Sequence, residues 1–165
     1  MSEKTRKILV AIDILLILLT IGFIFGNSLE DVEKSTNSST AVTETVEKIP
    51  PVKKAIEEKR LTFGKLEGII RSLAHVAEFV LLGALVMLLL LLSKVRPLAV
   101  SVYMPFFFCL LVGIADECIQ LTNDRACEVV DVIKDFVGSL IGGGLVLAIY
   151  GISYAVAKRK AEKKK

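Results

Sequence analysis

Four apolar stretches, each about as long as a bilayer is thick, limit what this chain can become more than any other feature. They cover about 8–25, 69–92, 98–121 and 129–157. A helix rises ~1.5 Å per residue, so roughly 20 residues cross a hydrocarbon core ~30 Å thick. In lipid the backbone N–H and C=O groups of such a segment must satisfy one another, which makes each block a helix. The expected fold is all-α, an integral membrane bundle of four transmembrane helices. Composition agrees: 53% of residues are hydrophobic and mean hydropathy is +0.63, yet 24% are charged. A soluble globule reconciles those figures poorly, and a membrane protein with polar connections reconciles them well. At 165 residues the chain has room for one domain, 1–165.

The first block follows Lys4, Arg6 and Lys7, as the apolar core of a signal peptide would. It is longer than the usual core of about 7–15 residues and no small-residue cleavage pattern follows it, so an uncleaved anchor is expected. Residues 26–68 form the one long polar connection. Ser35-Thr36-Asn37-Ser38-Ser39-Thr40 reads as a turn-and-cap region. Val42, Val46 and Ile49 then mark a short amphipathic helix that Pro50-Pro51 stops, and Val52–Leu66 marks a second. Both are expected to lie on the membrane surface.

Basic residues set the orientation. The N-terminal tail carries three, the 93–97 loop carries Lys94 and Arg96, and the tail at 158–165 carries six against one Glu. In a four-helix topology these three segments share a side, while the opposite short loop holds only Arg125. Both termini are therefore expected in the cytoplasm of a plasma-membrane protein, with 26–68 extracytoplasmic. The net charge of +3 rests on the tail, which argues for a topology anchor and lipid contact rather than nucleic acid. Cys109, Cys118 and Cys127 form no C-x-x-C pair, and a Cys118–Cys127 bridge is the weaker reading.

Ionisable residues within spans are costly, so their placement carries the functional information. In the second block Arg71, His75 and Glu78 are spaced i, i+4, i+7 on one helix face. Asp116, Glu117 and Gln120 close the third block, and Asp131 and Asp135 open the fourth beside Lys134. The orientation brings all three groups, with Arg125, to the outer side. Below them the helices are almost wholly apolar, which makes a pocket rather than a channel. The competing reading is a set of buried ion pairs that only hold the helices together. Against it stand five carboxylates and two arginines, an imbalance that calls for water, a shared proton or a bound cationic group. Gly138-Ser139 and Gly142-Gly143-Gly144 supply small residues for close helix packing. Asp13 is an isolated acid, for which Lys7 or a tail lysine is the expected partner.

The residues Phe25-x-x-Ser28, Arg71-x-x-x-His75-x-x-Glu78-Phe79-x-x-Leu82-Gly83, Asp116-Glu117-x-x-Gln120, Arg125 and Asp131-x-x-x-Asp135-x-x-Gly138-x-x-x-Gly142 occur in this order. In this pattern the chain resembles the VanZ-like membrane proteins, a family named for a protein associated with teicoplanin resistance. Asn123-Asp124 stands where that family more often has a Pro-Gly-like turn, and the 26–68 segment matches only at its start. The resemblance implies a cell-envelope protein of a Gram-positive-type bacterium that lowers susceptibility to teicoplanin-type glycopeptides. It brings no agreed chemical mechanism.

Two functions of different class follow. In the first, Arg71, His75, Glu78, Asp116, Glu117, Gln120, Arg125, Asp131 and Asp135 bind a polar head group. The candidates are a membrane lipid, a lipid-linked cell-wall precursor or a lipoglycopeptide, with the arginines engaging phosphate or carboxylate. In the second, the chain is a membrane hydrolase or transferase at the outer interface, with His75, Glu78, Asp116 and Glu117 as the catalytic candidates. A transporter is disfavoured because the polar lane stops halfway. One histidine with no second nitrogen ligand argues against zinc, and no metal or other cofactor is expected. The topology is tested by placing single cysteines at residue 45 and in the tail after removal of the native three. On intact cells a membrane-impermeant thiol reagent should label residue 45 and spare the tail; the reverse pattern overturns the orientation.

Overall fold

The computed structural model describes residues 1–30, 32–95, 97–122 and 128–163, with backbone alone at 32–35. Among these there are six helices and no strand: α1 (Glu3–Ser28), α2 (Val32–Glu47), α3 (Pro50–Glu57), α4 (Phe63–Leu92), α5 (Leu98–Leu121) and α6 (Val129–Glu162). Helices α1, α4, α5 and α6 are long and apolar enough to cross a membrane. The chain is an all-α membrane protein with four spanning helices. Large apolar side chains such as Leu15, Leu18, Leu81, Leu145 and Ile149 point away from the bundle. An outer surface of that kind belongs in lipid.

Helices α1 and α4 begin several residues before their apolar blocks, where polar caps set their starts. Ser2 Oγ accepts from the Thr5 amide at the start of α1, and Thr62 Oγ1 accepts from the Lys65 amide at the start of α4. At its other end α4 turns off through Lys94 at φ 53°, where the Val95 and Lys94 amides bond the carbonyls of Leu90 and Leu91. That paired closure satisfies carbonyls the helix would otherwise leave open.

The serine-rich run differs from the sequence expectation. It lies inside α2, not before it. Thr43 and Thr45 donate to the carbonyls of Ser39 and Ala41, so their hydroxyls serve the helix instead of competing with it. Ser39 Oγ and Thr40 Oγ1 both donate to Glu67 Oε1 of α4, at 2.8 and 3.1 Å, which lays α2 along the start of α4. Pro50 and Pro51 open α3, where their missing amides cost nothing. The second amphipathic stretch is divided at Lys59, whose φ of 57° closes α3 before Thr62 starts α4. Arg96, the 123–127 loop and the last two residues lie outside the described residues. Cys127 is among them; Cys109 and Cys118 carry free thiols.

Helix α4 is the centre of the bundle. It packs along α6 over the longest seam and also meets α1, α5 and α2. Phe79, Leu82 and Val86 of α4 form the core with Ile17 and Ile24 of α1 and Cys109 and Val112 of α5. The α4–α6 seam is made by small residues. A Cβ on Gly83 would stand 2.5 Å from the Ser139 carbonyl oxygen, and one on Gly138 would stand 2.5 Å from that of Val76. A Cβ on Gly142 would overlap the Val80 carbonyl oxygen, whereas Gly144 faces open space. Close backbone approach of this kind supplies packing that lipid, itself apolar, does not drive. The expected Asp13–Lys7 pair is not formed. Six residues separate these two by about 240° around a helix, and Lys7 instead pairs with Glu3 at 2.9 Å. Asp13 is buried, with no hydrogen-bond partner for either oxygen among the described residues.

Gly142→Leu should therefore lower the stability of the detergent-solubilised protein by about 1–3 kcal/mol through overpacking. Gly144→Leu should cost much less. Thermal unfolding of the two variants beside the parent checks this, and equal melting temperatures would put the Gly142 face toward lipid.

Candidate functional site

Antiparallel packing decides which helix ends meet. Arg6 near the start of α1 reaches the Leu92 carbonyl at the end of α4, at 3.4 Å. The last turn of α1, the first half of α4, the last turns of α5 and the start of α6 consequently share the other end. Asn27, Ser28, Arg71, His75, Glu78, Asp116, Glu117, Gln120, Asp131 and Asp135 are all there.

On α4 the i, i+4, i+7 spacing puts Arg71, His75 and Glu78 along one wall of a cavity of about 290 Å³. Asn27 and Ser28 of α1, Ser38, Ser39 and Val42 of α2, and Gln120 of α5 complete that wall. Asn27 Nδ2 donates to Glu78 Oε1 at 2.9 Å. Beside the cavity, behind Ser28 and Gln120 in the bonding chain, Asp116 is held on both oxygens. Ser28 Oγ donates to Oδ1 at 2.5 Å and Gln120 Nε2 donates to Oδ2 at 2.9 Å. Gln120 Nε2 also stands 3.4 Å from Ser28 Oγ, so α1 and α5 are tied through one buried polar unit.

Asp135 enters from α6. Gly138, one turn further on, lets α6 lie against Val76 and Phe79 of α4, and Gly113 of α5 leaves room for the Asp135 side chain, with space for only a 3.4 Å contact were a Cβ present. This brings Asp135 Oδ1 to 3.5 Å from His75 Nδ1. The distance is long for a hydrogen bond and the geometry is not that of one.

The expected residues thus separate into three groups. Arg71, His75, Glu78 and Gln120 face the cavity, and Asp116 and Asp135 are buried beside them. Glu117 and Asp131 do other things. One residue is 100° of helix rotation, so Glu117 points away from Asp116 and its Oε2 accepts from the Glu128 amide at 2.8 Å, capping α6. Asp131 pairs with Lys134 at 2.5 Å within the first turns of α6. Arg125 lies outside the described residues.

Sequence reasoning missed Asn27 and Ser28 as site residues. The available signal was Ser28 in the Phe25-x-x-Ser28 motif, together with the position of both residues at the end of an apolar block. Nothing in the sequence marked Ser38, Ser39 and Val42, because their place at the cavity depends on how α2 docks on α4.

The VanZ/LLP1 family model matches residues 13–150. The chain belongs to that family. No curated protein and no solved structure matches it significantly. The VanZ/LLP1 match takes in all the site residues named above and ends before the basic tail. It also runs across residues 26–68, which the quoted motifs touched only at their start.

The Ser28–Asp116 bond is the most direct tie between α1 and α5 at the site. Ser28→Ala should remove this donor from a buried carboxylate and lower stability by about 1–3 kcal/mol. Ser153→Ala, exposed on α6, is the control and should leave the thermal midpoint unchanged.

Proposed function

We propose that this VanZ-family protein lies in the plasma membrane with both termini in the cytoplasm. On this reading its cavity opens outward and takes the polar head group of a lipid, a lipid-linked cell-wall precursor or a glycopeptide. Holding such a group lowers susceptibility to teicoplanin-type glycopeptides. The observation that carries the reading is the cavity itself. One face of α4 sets a guanidinium, an imidazole and a carboxylate in a row along a recess of about 290 Å³ at the polar end of an otherwise apolar bundle.

The arrangement suits a zwitterionic or multiply polar ligand. Arg71 offers planar donors to a phosphate or carboxylate, and Glu78, oriented by Asn27, accepts from an amine or hydroxyl. Acyl chains of a lipid-linked ligand would run down the exposed apolar faces of the bundle, so the head group enters without leaving the bilayer. The amphipathic α2 lies at the same end and forms part of the rim.

A second reading, a hydrolase or transferase on a lipid-linked substrate, draws on the His75–Asp135 pair. A carboxylate 3.5 Å from an imidazole is close enough to set the tautomer of a general base once a substrate tightens the site. Single-turnover measurements on lipid-linked substrates separate the two: product formed by the parent and lost in His75→Ala marks the enzyme.

The binding reading is tested in a susceptible Gram-positive host expressing the chain. Expression should raise the teicoplanin concentration that stops growth. Glu78→Gln and His75→Ala should cancel the gain, and Leu145→Ala on the outer face should keep it. Removing one hydrogen bond to a charged partner weakens binding by about 1.5–3 kcal/mol, about 10–100-fold in affinity, which is enough to erase protection. Protection that falls only in proportion to lost folded protein would overturn the reading.

A further inference from the structure

Head-group recognition leaves two buried carboxylates beside this cavity unexplained. Asp116 and Asp135 are each only 1% exposed. One oxygen from each and one ring nitrogen of His75 lie within 4.8 Å of one another. Neither oxygen of Asp135 has a hydrogen-bond partner among the described residues, and neither has His75 Nδ1. Buried polar groups are almost always satisfied, so a buried carboxylate without a hydrogen bond, beside an imidazole and a second carboxylate, calls for an occupant.

The spacing says what kind. His75 Nδ1 and Asp135 Oδ1 are 3.5 Å apart, beyond the usual reach of about 2.7–3.2 Å for an N–H···O bond. Two ligands each about 2.1 Å from one ion at a near-tetrahedral angle stand about 3.5 Å apart. The geometry points to a divalent transition-metal site formed by His75, Asp116 and Asp135 beside the cavity.

The donors agree with that assignment. One imidazole nitrogen and two carboxylates suit Mn2+, Fe2+ or Zn2+ and offer nothing to a thiolate-seeking ion. Two carboxylates match the charge of a 2+ ion. Asp116 is already oriented by Ser28 and Gln120, at 2.5 and 2.9 Å, as a carboxylate ligand usually is by its neighbours. The lack of a second histidine weighs against a histidine-rich zinc site; it does not weigh against one dominated by carboxylates. His75 also lines the cavity, so the three donors adjoin it. A phosphate or carboxylate oxygen of the head group would enter there. The identity of that ligand rests on the binding reading above, but the metal site stands on the chain's own donors.

The chain has a single histidine, which makes the test independent of any variant. The full-length protein is purified without a polyhistidine tag, in detergent and without added lipid or glycopeptide, and titrated with Mn2+. Pulsed electron paramagnetic resonance should show 14N coupling from one imidazole on the bound ion. Equilibrium titration should give about one site, weakened by about tenfold or more in Asp135→Asn and unchanged within about twofold in Asp131→Asn. No nitrogen coupling at saturating Mn2+ overturns the inference. Equal weakening by both substitutions also overturns it, since the ion would then belong to the surface carboxylates. If Asp135→Asn fails to fold, the nitrogen signal of the parent decides. Because no head-group ligand is present, a negative result removes the metal and leaves the susceptibility experiment to judge the pocket.

Discussion

Everything at the polar end depends on how closely α4 and α6 approach. Gly83 on one helix and Gly138 and Gly142 on the other remove the side chains that would hold the backbones apart. Between helices in lipid there is no hydrophobic gain to be had, since the tails are as apolar as leucine; packing and polar contacts have to do the joining. The seam also fixes an azimuth. With Gly138 against Val76 and Phe79, Asp135 three residues earlier faces His75 rather than lipid. A wider seam would carry the aspartate out of range of the imidazole while leaving both helices intact.

The remaining helices tie themselves to this pair through polar groups at the same end. Helix α1 donates through Asn27 to α4 and through Ser28 to α5, and α5 caps α6 through Glu117. Such bonds are strong where water is scarce, and leaving one unmade is correspondingly costly. The polar end is therefore a structural clamp as well as a candidate site. That double role explains why Glu117 and Asp131, which looked like pocket residues, are occupied elsewhere: one ends a helix-terminal amide's search for a partner, and the other holds Lys134 beside it. Outside the clamp the buried core is mostly apolar, with Asp13, Thr20 and Ser101 as buried polar residues.

Much of this was legible in the sequence. Four blocks of the right length, in a solvent that forbids unsatisfied backbone, determine four spanning helices whatever their packing. The 3.6-residue period alone puts Arg71, His75 and Glu78 on one face and separates Asp116 from Glu117 by 100°. Alternation of direction in an up-and-down chain gathers the three polar clusters at one end. The glycine spacing announces a close helix contact, though not with which helix. Each of these follows from local geometry or from the bilayer, and neither needs a fold.

Tertiary structure decided the rest. Which of five acids would face the cavity depended on helix rotation relative to neighbours, so Asp116 and Asp135 meet His75 while Glu117 and Asp131 turn to an amide and a lysine. The wall supplied by Asn27, Ser28 and the middle of α2 depended on docking, because a serine-rich amphipathic helix has no preference of its own among α4's faces until Glu67 accepts Ser39 and Thr40. Periodicity carries the direction of a side chain within one helix. The distance between side chains on different helices is set by packing, and only there do an imidazole and two carboxylates become a single site.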